Sequence, residues 1–474
     1  MLITMIKTDF RGRILILGCG AVAQCLQVLL LRHIAMDISH ITLVDTLDMR
    51  NKMEPLMQAG ARFVQTHLTA ENIEKILSTY LQDGDILIEL AISIDTATLV
   101  QWCYDHNVMF LNSALQTWPS AQKVAYDIQE TSYMHRLRFS QKTAYLSKNG
   151  PTAVIAHGAN PGLVSHFVKS ALIDLAQILL VSSADRERLL LLEQALSSKN
   201  FAQLSLQTGT KIIHIAERDT QITCQPKQLN EFINTWSVNA LYQECIALPE
   251  IGWGTHEQKI ISALKFVNQE KTVQYIAAKS LNVWMRSWVP TGEMLGMLIS
   301  HEEIITIHNY LTVRENNALL YSPTVCFIYL VCDSAFASLH ECKMNKYKLQ
   351  ENQRIIDDDI VSGSDQLGVL LLGHDLKGWW MGSDLSIEQT RSAIGNGHNA
   401  TTLQVCAGLL GALLWMIRNP RQGVCNPEVL PHEEILAIAQ PYLGTIISQQ
   451  ILCAPKDTSV NNWQTVDFFD TKFC

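Results

Sequence analysis

The stretch that most limits what this chain can become is Ile14 to Ala23. Ile14, Leu15, Ile16 and Leu17 form an uninterrupted apolar run, and Gly18, Cys19, Gly20, Ala21, Val22 and Ala23 continue it without a break. Such a run entering a glycine pair reads as a buried strand, a tight turn and the start of a helix. Gly18 permits the turn, Gly20 lets a pyrophosphate approach the backbone, and Ala23 lets the helix pack close on the strand. The helix start at Ala21 and Val22 then offers free N–H groups to a phosphate. A glycine pattern alone also describes an ordinary strand-to-helix turn. The residues beyond the turn are more specific: helical spacing continues through Val22, Leu26, Leu29 and Leu30, and a second strand, Ile41 to Val44, ends in Asp45. An acid about twenty residues beyond the turn would hold a ribose 2′-hydroxyl and repel a 2′-phosphate, so a dinucleotide site selective for NAD over NADP is expected.

Strand and helix continue to alternate. Phe63 and Val64 precede a helix over 72–81, Ile86 to Ile88 precede one over 96–106, and the strand Val108 to Leu111 ends in Asn112 and Ser113. Ligands of such sheets bind beyond the carboxyl ends of the strands, which makes Leu90, Ala91, Asn112 and Ser113 cofactor-facing candidates. A helix over 120–135 and a strand over 153–155 complete the sheet.

With 474 residues the chain is too long for one ordinary core. Three parts are expected: a Rossmann-type parallel-sheet domain over 1–156, a mixed α+β domain over 157–395, and C-terminal helices over 396–474 that pack back on the body. The net charge of −9 argues against duplex nucleic acid as a partner. Twelve cysteines without a CxxC pair point to reduced thiols in a cytoplasmic protein and away from structural zinc. No metal site is expected. Lys7, Asp9, Arg11 and Arg13 come after the apolar N-terminus without a cleavage signal, and the apolar stretch 403–417 reads as too short and too interrupted to span a bilayer.

After the strand over 153–155 the texture changes. His157 to Gly162 form a turn-rich junction, with Asn160 placed as an N-cap and Pro161 in the first helical position. The spacing of Leu163, Val164, Phe167, Val168, Ala171, Leu172 and Leu175 predicts a long helix with an apolar stripe. Strand-like runs come next at 211–216, 325–331 and 369–372, then a very apolar helix over 400–417 and a polar, proline-bearing tail with one helix near 433–438. Three groups in this half place acids beside aromatic or turn residues. Glu217 ends an apolar strand, Trp236 precedes Glu244 by about two helical turns, and His301 precedes Glu302 and Glu303. Each also has a bland reading: an ion pair for Glu217, a core position for Trp236, a solvated helix start for His301.

Four segments carry a resemblance: the Gly18 to Ala23 turn, His157 to Ser165 (HGANPGLVS), Ile213 to Gln221 (IHIAERDTQ) and Gly252 to Glu257 (GWGTHE). Ser362 to Leu370 (SGSDQLGVL) and Asn399 to Val405 (NATTLQV) extend it. Together they resemble the bacterial homospermidine synthases, whose architecture is that of the saccharopine dehydrogenases. The resemblance implies a redox-neutral transferase with retained NAD, joining two putrescines into sym-homospermidine with loss of ammonia, spermidine serving as donor in some members. It implies that Glu217 and Glu244 bind amino groups, that Trp236 holds a cationic intermediate, that His301 and Asp365 line the pocket, and that Asn160 touches the nicotinamide or the substrate. A homodimer is implied on the same ground. One departure stands out: where the family tends to carry an acid shortly before Trp118, this chain has Gln116, so anchoring of the distal ammonium is in question.

The residue types suit a diamine, which arrives at neutral pH as a dication and needs carboxylates and an aromatic face. Hydride leaves only from a neutral amine, so one acid, Glu217 or Glu244, would also serve as base. Two rivals remain. A saccharopine-reductase-like or carboxynorspermidine-type dehydrogenase would bind α-carboxylates and want arginines, for which Arg218, Arg286 and Arg314 are available. A silent NAD-binding scaffold would have no use for acids in a cleft.

Overall fold

In the computed structural model, residues 7–118, 127–260, 262–452 and 463–470 are described. The Ile14–Leu17 strand lies inside a seven-stranded parallel sheet. Its order is Val424–Cys425, Ala153–Val154, Met109–Asn112, Ile86–Glu89, Ile14–Leu17, Ile41–Asp45, Arg62–Gln65. Ile14 and Ile16 face one core and Leu15 and Leu17 another, as a strand covered on both faces requires. The winding reverses between Ile14–Leu17 and Ile86–Glu89, which opens a crevice beyond their carboxyl ends. The expected helices form over Ala21–His33, Ile73–Tyr80 and Thr96–Asp105.

The second sheet has ten strands of mixed direction. At its centre Thr324–Leu330 runs parallel to Ile212–Asp219, which pairs antiparallel with Ser364–His374. Residues alternate across these strands. Ile213, Ile215, Phe327, Tyr329, Val369 and Leu371 face the main core, while Ile212, Ala216, Cys326, Ile328 and Leu370 face a second one. The long helix Leu163–Ser182 packs on Ser364–His374 and on its hairpin partner Lys377–Ser386.

Three expectations change. The helix drawn over 120–135 begins at Ser132, behind a Thr131 cap, and runs to Thr143, while residues 119–126 lie outside those described. The tail beyond Pro420 is woven into the body: Val424–Cys425 adds an edge to the parallel sheet and Thr445–Ile451 an edge to the mixed one. Helices Leu163–Ser182 and Ala400–Arg418 are both long and apolar enough to cross a membrane, so the stretch at 403–417 is not too short; most of each is buried inside the protein.

Helix Ala400–Arg418 lies against Ala21–His33 and joins the two halves. Its Gly408 touches the backbone of Gly158, and a Cβ there would collide with the Gly158 carbonyl. Gly408→Ala is expected to destabilise the fold by about 1–3 kcal/mol, the usual cost of overpacking against atoms that cannot yield. An unaltered thermal melt would show that the Gly158 turn moves freely.

Candidate active site

The glycine turn is built as its residues suggested. Gly18 has φ +88°, and a Cβ on it would sit 2.7–2.8 Å from the Leu90–Ala91 backbone, so only glycine lets the two strand ends approach. Gly20 caps the following helix, and a Cβ placed on it would meet nothing within 4 Å, which leaves room for a phosphate at the helix start. Asp45 is part of the turn: its Oδ2 accepts from Cys19 N at 2.7 Å and its Oδ1 from Leu47 N at 2.9 Å. Ser113 borders Gly158 at the same mouth.

Asn112 differs from its expected role. It is fully buried, its Nδ2 donates to Ala114 O at 2.6 Å and Glu89 Oε2 at 3.2 Å, and its Oδ1 accepts from Ala156 N at 2.8 Å. The side chain ties three strand ends together instead of facing the crevice. Its partner Glu89, which no sequence pattern marked, is buried and pushed up to about 8, mainly by desolvation.

Across the junction, Asn160 is not the helix cap. Gly162 takes that place, at φ 128°, with its own backbone against Gly158, and this frees the Asn160 side chain to donate from Nδ2 to Glu217 Oε2 at 2.8 Å. Glu217 and Asp219 share one face of their strand as residues i and i+2, and strand register sets Asp365 opposite Asp219 and Tyr329 beside Glu217. All three acids are buried. Burial, and then the charge of Asp365, hold Glu217 well above the usual carboxylate range; burial and the charge of Asp219 do the same to Asp365. Among the described residues no Lys, Arg or His forms an ion pair with any of the three.

Trp236 stands two residues before helix Val238–Ile246, which carries Glu244. It is half-buried, and its indole N–H donates to the Tyr329 hydroxyl at 3.3 Å, which sets the ring beside the acids. His301 is the N-cap of helix Glu302–Tyr310 and not a solvated start. Its Nδ1 meets Glu303 at 2.7 Å and its Nε2 meets Glu244 at 3.4 Å. Burial disfavours an imidazolium there, but Glu303 and Glu244 together outweigh it and hold the ring well above its ordinary range. Next to it, Glu302 accepts from Leu115 N at 2.6 Å, tying the segment of Gln116 to this helix. Gln116 itself accepts from Ser93 N at 3.2 Å.

Of the residues marked in the sequence, Glu217, Asn160, Asp365 and Trp236 thus form one group, with Glu244 and His301 as an adjoining pair. Tyr329 was missed, and Asp219 and Glu303, though adjacent to marked residues, were given no role. Period-two spacing from Glu217 points to Asp219 and the turn after His301 to Glu303, whereas Tyr329 is brought in by strand pairing that no local pattern reports.

The profile of the Saccharopine dehydrogenase NADP binding domain matches residues 14–154, and that of the Saccharopine dehydrogenase C-terminal domain matches residues 158–451. A homospermidine synthase of Blastochloris viridis is 33% identical over 444 residues, covering 92% of this chain and 90% of that protein. The chain belongs to the homospermidine synthase family. A second homospermidine synthase, of Mesorhizobium japonicum, is 32% identical over 452 residues with the same coverage. The crystal structure of homospermidine synthase from Legionella pneumophila in complex with NAD superposes with a TM-score of 0.85 at 32% identity, covering 98% of this chain and 99% of that one. The fold is therefore the family's from end to end.

Proposed function

We propose that the chain is a homospermidine synthase that binds NAD on the Gly18–Ala23 turn and joins two putrescines in the acidic pocket beside it. When bound, NAD takes a hydride from the carbon bearing one amino group of the donor and returns it to the carbon–nitrogen double bond formed with the acceptor. Two diamines thereby give sym-homospermidine and one ammonia, with no net redox change. The observation that carries this reading is the set of buried acids Glu217, Asp219 and Asp365, which form no ion pair with a described cation and suit a cationic ligand.

The residues divide the work. Glu217, raised by burial and steadied by Asn160, takes the proton that frees the donor amine for hydride loss. Glu244, 3.4 Å from His301 Nε2, is given the binding of an amino group and not the role of base. Asp365 receives an ammonium, and Trp236 offers its face to the cationic intermediate. Gly18, Gly20, Ala21, Val22 and Ala23 hold the phosphates, Asp45 the ribose, and Leu90, Ala91 and Ser113 the mouth of the crevice. The ten described cysteines are unpaired and all but Cys224 are buried, which suits a reducing cytoplasm. A homodimer is part of the proposal on family grounds.

The amino-acid dehydrogenase reading loses its arginines. Arg218 lies on the opposite strand face beside Thr291, Arg286 pairs with Glu293, and Arg314 pairs with Glu270 at 2.7 Å. The test is incubation with putrescine and a trace of NAD, following polyamines by mass and NADH by absorbance. Homospermidine and ammonia without net NADH are expected, and accumulating NADH would reject the transferase.

Asp45→Ala is expected to narrow the preference for NADH over NADPH in binding titrations. Because Asp45 also holds Cys19 N, affinity for both should fall, so the ratio is the readout. A mutant that still excludes NADPH would mean that another group reads the ribose.

A further inference from the structure

Behind the pocket runs a chain of hydrogen bonds that the binding and proton-transfer roles of Glu217, Asp365 and Trp236 do not require. The Asp219 carboxylate accepts from Gln221 N at 2.9 Å, Gln221 Nε2 at 3.1 Å and Thr235 Oγ1 at 2.8 Å. Gln221 Nε2 also donates to Thr401 Oγ1 at 3.1 Å, and its Oε1 accepts from Ala400 N at 2.9 Å. Thr401 Oγ1 lies 2.6 Å from Asp365 Oδ2 and 3.4 Å from Thr235 Oγ1. One hydroxyl has one proton, and these distances assign it to Asp365. Asn399 fixes the ensemble from the other side, donating to Thr235 O and Ile356 O. Asp365 Oδ1, buried in the same place, has no partner among the described residues, and an unmet buried acceptor is costly unless a ligand donates to it.

We propose that Asp219 is a positioning residue of this site: together with Gln221 and Thr401 it sets the direction and charge of the Asp365 carboxylate, and through it the hold on the ammonium end of the amine. The inference rests on the diamine reading of the pocket. Asp219 contributes in two ways. As a negative neighbour across the strand pair it opposes ionisation of Asp365, and through Gln221 it orients Thr401, whose hydroxyl favours ionisation. Glu217 on the same strand, Asp384 on the following strand, Tyr329 on the parallel neighbour, Cys332 and Asp333 just beyond it and Glu244 on helix Val238–Ile246 are other titratable groups that face this cluster; helix Ala400–Arg418 faces it with the Thr401 hydroxyl, the Ala400 N–H and the Gln404 amide, which carry no charge. The two contributions have opposite signs, which a purely structural role would not produce.

The test is calorimetric binding of putrescine to the NAD-loaded protein from about pH 5.5 to about 9, with Asp365 required in its ionised form. Asp219→Asn is expected to move the acid-side loss of binding to lower pH by about half a unit or more, roughly threefold in proton affinity, and Thr401→Val to move it to higher pH. Thr401→Ser should restore the wild-type midpoint. Two variants that keep the wild-type midpoint, or that move it in the same direction, overturn the proposal. If Asp219→Asn does not fold, Thr401→Val with its serine rescue decides alone. Wild-type protein that binds no putrescine at any pH would instead sink the diamine reading, and the same opposed shifts are then sought in the pH dependence of thermal unfolding without amine, where their absence overturns the role of Asp219.

Discussion

Trp236→Ala is expected to lower the rate of homospermidine formation about thirtyfold or more while NAD stays bound. A desolvated cation over an indole gains about 2 kcal/mol, and that energy, applied only where the intermediate is cationic, converts to roughly thirtyfold in rate. The ring is poised for this use. Its N–H is held by Tyr329, whose strand position lies beside Glu217, and it is only half-buried. Trp236→Phe keeps an aromatic face but loses the Tyr329 bond, so its rate should lie between the two. Single-turnover product formation, together with NAD retained after gel filtration, checks the prediction, and an undiminished rate in the alanine variant would remove Trp236 from the mechanism.

Glu217→Gln should do more, lowering turnover by about a hundredfold to ten-thousandfold, the range for loss of a general base. Glutamine still accepts from Asn160, so geometry is kept and only the proton acceptor is lost. The wild-type rate should climb with pH as the raised Glu217 carboxyl ionises, and the variant's residual rate should lack that limb. Stability should move the other way. A carboxyl whose folded value lies above its unfolded one gives up stability as pH rises from the ordinary carboxylate range through the folded value. Glutamine has no such loss, so the variant should melt higher than wild type near neutral pH. A variant both slow and less stable would point to collapse of the pocket rather than a missing base.

Much of this was legible in the residues. The glycine turn, the acid ending the second strand and the apolar run closing on Glu217 each arise from local geometry, because a strand or a tight turn writes its needs into consecutive positions. What escaped depended on pairing. Asn160 had every local mark of a cap, yet the close backbone contact of Gly158 with Gly162 moves the helix start two residues on. Asn112 sat where a ligand contact belongs, but two neighbouring strand ends and the turn beyond its own claim its amide. The strand Thr445–Ile451 reads as polar because, as an edge strand, it leaves much of its surface to water, and Val424–Cys425 is too short to show any period. His301 and Glu303 read as a solvated helix start because no local pattern shows that Glu303 is buried and pairs back on to His301.

The late return of the chain to both sheets has a consequence for how the enzyme is made. Glu217, Asp219 and Asp365 leave the ribosome before Thr401, before the helix that joins the halves, and before the edge strands at 424–425 and 445–451. Until the segment that carries Thr401 and both edge strands has emerged, the strands bearing these acids lack the helix that covers them and the edges that close their sheets. Loss of the two edge strands would leave each sheet with an open side, so the acids and the strands that close their sheets stand or fall together.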